Sequence, residues 1–169
     1  MMPKWARAYV RYVEALNYRV GRFAMYLLFA MMGVLLWSSV TKMINVPALW
    51  TLEMAQFILV AYYLLGAPYT FQLDTNVRMD LLYARQSPRK KAIWDAITVF
   101  VLIFYLGVML YGALGSTVYS FETSERAPTA WRPYMWPIKT IICASFVLMI
   151  LQAIAHLIRD VAVWRGKVL

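Results

Sequence analysis

Very little in this sequence can carry covalent or redox chemistry. There is one cysteine and one histidine among 169 residues. Cys143 therefore has no partner for an internal disulfide or a dithiol couple, and His156 cannot supply bis-histidine haem ligation. No glycine-rich phosphate loop, no His-Glu-x-x-His zinc motif and no serine set beside a base is visible. Acidic side chains are scarce too, with eight Asp and Glu against seventeen Lys and Arg. The expectation is a chain that is not an enzyme, with no catalytic residue, no metal and no cofactor of its own.

What is present is apolar. Hydrophobic residues make up 63% of the chain and charged ones 15%, which is too apolar for a water-soluble domain of this size. Four windows run without charge for most of their length, at about 23–41, 52–71, 96–121 and 138–157. Each is long enough to cross about 30 Å of hydrocarbon as a helix. The fold class expected is all-α integral membrane, one membrane domain over residues 1–169 with four transmembrane helices.

The net charge of +9 could suggest nucleic acid, but its placement argues for membrane orientation. Basic residues crowd before the first window (Lys4, Arg7, Arg11, Arg19, Arg22), between the second and third (Arg78 to Lys91) and after the fourth (Arg159, Arg165, Lys167). By the positive-inside bias both termini and the middle connection are expected in the cytoplasm. The seven tryptophans fall near the window ends as an aromatic belt.

Residues 4–19 are too polar to span. At 100° per residue Trp5, Tyr9, Tyr12, Val13 and Leu16 share an arc opposite Lys4, Arg7, Arg11 and Glu14, so an interfacial amphipathic helix is expected, its basic face toward lipid headgroups. Further along, Thr51 is expected as an N-cap and Pro68 as a kink near the exit of the second span. Ser87-Pro88 reads as the start of the third helix. Gly112 and Ser116 have the small-xxx-small spacing of close helix packing, expected inside the four-helix unit. Ser38 and Ser39 are expected to bond back to their own helix.

A Trp and a Glu opening a span (Trp50, Glu53), a Gly-Ala pair late in it (Gly66, Ala67), a Val-Arg-x-Asp turn (Val77, Arg78, Asp80) and Trp136-Pro137 leading into the last span resemble the small membrane subunit of tripartite ATP-independent periplasmic (TRAP) transporters, the DctQ-like component. Asn76, Met79 and Leu52 depart from the family's usual His, Val and second acidic residue. The resemblance implies a multi-pass protein of a bacterial inner membrane, partnered by a large multi-span subunit, by a periplasmic substrate-binding protein and by lipids. It implies sodium-coupled uptake of an organic acid, with the sodium held in the partner subunit. Asn76, Arg78, Asp80 and Gly66 would then dock the large subunit. Glu122, Glu125, Arg126 and Arg132, with Glu53 nearby, would help dock the binding protein.

Glu53 also admits other readings. It is expected as an interfacial ion pair with Lys42, Arg132 or Lys139; as a proton carrier it would make the chain a small self-contained exporter. A third class, a membrane anchor or assembly protein, remains open on the residues alone. Against transport by this chain alone, the spans hold few polar atoms at mid-depth, where ionic solutes need them.

Overall fold

The computed structural model describes residues 4–46, 48–73 and 88–164, and in the last stretch only the backbone of 88–93, 95–96 and 163–164. Four helices account for nearly all of it: α1 (Lys4–Met43), α2 (Trp50–Gln72), α3 (Pro88–Glu122) and α4 (Trp136–Trp164). All four are long and apolar enough to cross a membrane. The four apolar windows lie inside them, because the polar backbone of a segment in lipid must satisfy its own hydrogen bonds and a helix does so locally. The expected cap Ser87 lies outside the described residues.

The stretch expected as an interfacial helix and the first span are one helix. Nothing between Arg19 and Phe23 breaks the hydrogen-bond ladder, and the 40 residues of α1 reach about 60 Å, twice the hydrocarbon thickness. Its early partners on α4 run in an unexpected order. The Tyr9 hydroxyl donates to the Leu151 carbonyl at 3.2 Å, Glu14 pairs with Arg159, and Asn17 meets Gln152. Helices lying antiparallel side by side would pair the lowest α1 numbers with the highest α4 numbers. The beginning of α1 therefore crosses over α4. Val10 and Val13 are buried against Ala155 at that crossing, flanked by Leu151 and Ile158, while Trp5 and Tyr12 stay exposed.

α1 packs most extensively on α2. The turn between them is a Schellman closure: Asn45 takes the left-handed conformation (φ 57°), and the Val46 amide donates to the Thr41 carbonyl at 3.1 Å. Thr51 is not the N-cap, a position held by Leu49 without a side-chain bond. Instead its buried hydroxyl lies 2.8 Å from the Ala48 carbonyl and 3.0 Å from Ser38 Oγ, tying the two helices together. Ser38 thus bonds across the hairpin, whereas Ser39 does bond back to Leu35 at 3.1 Å. α2 continues through the buried Pro68 to Gln72.

α3 is held differently. Its enclosed positions are Val99, Ile103, Leu106, Leu110, Ala113, Thr117 and Ser120, alternating four and three residues apart. That is the narrow seam of a coiled-coil pair, and α4 is the helix it fits. Off the seam Leu102 is half-buried, and the other described side chains of α3, including Phe100, Phe104 and Tyr111, are exposed. The expected internal packing at Gly112–Ser116 does not occur: a side-chain carbon added at Gly107, Gly112 or Gly115 would meet nothing within 4 Å. These glycines face out from the four-helix unit because the seam uses another side of the helix.

α4 contacts all three other helices and is the most enclosed of them: its most apolar window is 33% buried, against 11–17% for the others.

Candidate functional site

The end of the bundle opposite the chain termini carries the connection between α3 and α4. A left-handed Ser124 (φ 48°) closes α3, with the Glu125 amide donating to the Ser120 carbonyl at 3.1 Å. The chain then folds back on itself. The Ala127 amide donates to the Pro133 carbonyl at 2.9 Å and the Met135 amide to the Glu125 carbonyl at 3.0 Å, so Arg126 and Tyr134 face each other as an isolated antiparallel bridge. A second left-handed residue, Arg132 (φ 51°), lies in the turn. This loop has a defined shape.

Its charges fall into two groups. Glu125 is fixed: Lys139, from the first turns of α4, forms an ion pair with it, and Ser120 Oγ donates to the same carboxylate oxygen at 2.7 Å. The hydrogen bonds from Lys139 and Ser120 hold the Glu125 carboxyl below the usual range. Arg126 lies over the Tyr134 ring with its guanidinium 4.2 Å from the centroid and bonds the phenol oxygen. Glu122 and Arg132, by contrast, are exposed with neither constraint. Beside them stand the exposed Trp131, Tyr134 and Trp136. Four of the residues expected at a periplasmic docking surface, Glu122, Glu125, Arg126 and Arg132, are thus brought onto one short loop.

Glu53 is not part of that network. It lies in the first turn of α2, one carboxylate oxygen is buried without a hydrogen bond, and among the described residues no ion pair joins it. The expected pairing with Lys139 is excluded because Lys139 is committed to Glu125. Gly66 lies farther down α2, lining an open groove of about 440 Å³ between α1 and α2 with Gly21, Ala24, Tyr62 and Ala67. A side-chain carbon there would touch nothing. Asn76, Arg78 and Asp80 lie outside the described residues.

Sequence reasoning missed the polar contacts at the terminal end. Asn17 Nδ2 donates to Gln152 Oε1 at 2.7 Å, with both side chains buried. His156, also buried, lies with Nε2 3.1 Å from the Phe71 carbonyl in the last turn of α2, where helix carbonyls lack partners of their own. Together with Glu14–Arg159 they hold α1, α2 and α4 together. A signal existed: Gln152 is the one amide inside the fourth apolar window, and His156 follows it by one helical turn, on the same face.

The family model described as tripartite ATP-independent periplasmic transporters, DctQ component, matches residues 31–163. No curated protein and no solved structure gives a significant match. The matched region begins about two-thirds of the way along α1, so the part of that helix that crosses α4 precedes it.

Proposed function

We propose that this chain, which belongs to the DctQ component family of TRAP transporters, is the scaffold subunit that holds a large multi-span membrane partner in place while that partner moves the solute. Membership makes it a membrane component of a transporter. The finer reading is an inner-membrane protein with both termini in the cytoplasm, a basic distribution that follows the positive-inside bias. The partner subunit would hold the sodium and the organic acid, and a periplasmic protein would deliver that acid.

The observation that carries the scaffold role is α3. A helix that commits only a heptad seam to its own chain leaves a broad apolar flank, with Gly107, Gly112 and Gly115 open, where a second helix can approach closely. Gly66 on the α1–α2 side offers a smaller surface of the same kind. Asn76, Arg78 and Asp80 belong to the proposed contact with the large subunit on the family resemblance alone.

The α3–α4 loop suits the second role, docking of the binding protein. Glu125 and Arg126 are used to shape it, leaving Glu122 and Arg132 to present charge. Opposed charges on a preformed loop steer association and fix register more than they add affinity.

Co-purification tests the proposal. The tagged chain, expressed with its neighbouring genes and extracted in mild detergent, is expected to elute with a large multi-span protein in fixed stoichiometry. Elution as a homo-oligomer that transports unaided would replace this reading by a self-contained exporter, with the orphaned Glu53 oxygen as its first target.

A further inference from the structure

Where α1 crosses α4, the two helices enclose an open groove of about 560 Å³. Lys4, Arg7 and Arg11 line it from one face of α1, and Arg159 closes it from α4. Glu14 also lines it and pairs with Arg159, while the exposed Lys4 and Arg11 add positive charge to its wall. Val10, buried at the crossing, forms part of its floor.

We infer that this groove binds the phosphate of an anionic phospholipid headgroup. Three observations select that occupant. The concentration of positive charge calls for an anion, and two helices contribute to it, so the site exists only in the folded chain. The groove is far larger than one phosphate fills, leaving room for the glycerol that follows it. Finally, Trp5 and Tyr12 on the same segment of α1 are 70% and 74% exposed, as aromatic side chains are at the boundary between headgroups and acyl chains. A lipid would thus cover the seam between α1 and α4 at the level where the polar contacts Glu14–Arg159 and Asn17–Gln152 hold them. This goes beyond the scaffold role and does not depend on the identity of any protein partner.

The test is native mass spectrometry of the full-length chain, released from an equimolar mixture of phosphatidylglycerol and phosphatidylcholine. The wild type is expected to retain phosphatidylglycerol preferentially. Lys4→Gln and Arg11→Gln, both exposed positions that leave the ion pair intact, should each lower that preference by about fivefold. Arg19→Gln, on the same helix but outside the groove, should leave it unchanged. Equal retention of the two lipids by the wild type would overturn the inference, as would an equal loss in Arg19→Gln, which would signify diffuse attraction to a basic surface. A third overturning result is thermal stabilisation by inorganic phosphate alone as large as that by phosphatidylglycerol, because it would assign the groove to a free anion.

Discussion

Asn17 and Gln152 meet at the crossing of α1 and α4, the Asn17 amide donating to Gln152 at 2.7 Å in a place from which water and lipid are both excluded. Each amide keeps one further polar atom buried without a partner, Asn17 Oδ1 and Gln152 Nε2. The pair therefore locates the crossing at a cost in desolvation.

Removing one member should be worse than removing both. Asn17→Ala leaves the whole Gln152 amide unsatisfied and should destabilise the chain by about 1–2 kcal/mol. The double variant Asn17→Leu with Gln152→Leu should recover most of that loss. Thermal unfolding in mild detergent reads both, and a double variant weaker than Asn17→Ala would show that the amides contribute net stability.

Two glycines on opposite sides of one groove should respond in opposite directions. A side-chain carbon at Gly21 would lie 2.4 Å from Cβ and Cγ of Tyr69, so Gly21→Ala must push α1 and α2 apart. Overpacking costs about 1–3 kcal/mol, more than the roughly 1 kcal/mol that alanine gains over glycine in helix propensity. Gly66→Ala meets no atom and should keep or raise the melting temperature. A Gly66 variant that melts normally yet loses the large subunit on co-purification would place the groove at that interface.

Glu125 makes the loop sensitive to acid. Its folded pKa is depressed, so the stabilisation it supplies is fully present above the unfolded carboxylate value and is lost as pH falls through the folded value. The melting temperature should fall on acidification below about pH 4, and Glu125→Gln should lower it at neutral pH while flattening that dependence. Equal pH dependence in the variant and wild type would assign the acid transition to other carboxylates.

Charge presentation and loop shape should separate experimentally. Glu122→Lys and Arg132→Glu are expected to slow association with the binding protein, with a salt-dependent effect, and to leave thermal stability unchanged. Lys139→Met should do the reverse, lowering stability by releasing Glu125. Surface plasmon resonance at two ionic strengths, beside melting curves, distinguishes them.

The helices were legible in the sequence because apolar windows of spanning length leave the backbone one solution. The continuity of α1 was not. A change from polar to apolar composition near Phe23 reads as a boundary between elements, yet composition alone breaks no hydrogen bond, and Gly21 is used for close approach to Tyr69. The loop charges lie close together in the sequence, but the pairing of Lys139 with Glu125 in place of Glu53 was not legible there. Lys139 follows both Glu53 and Glu125 at an outer connection, and only the left-handed turn at Ser124, which sends Glu125 back over the end of α3, decides between them. The outward placement of Gly112 was hidden for a related reason: small-residue spacing marks a face that a helix can approach, without saying whose helix it is.

The central position of α4 bears on how the protein is made. α1 and α2 can zip into a hairpin as soon as both have entered the bilayer, but α3 has a single seam to offer and its partner has not yet been synthesised. Until α4 arrives the nascent chain consists of one closed pair and one stray helix, with the amides, Glu14 and the last carbonyls of α2 all still open. Assembly of the four helices is therefore concentrated in the insertion of α4. Membrane proteases that survey unfinished chains have a clear window before it, and a partner that gripped α3 early would shorten the wait.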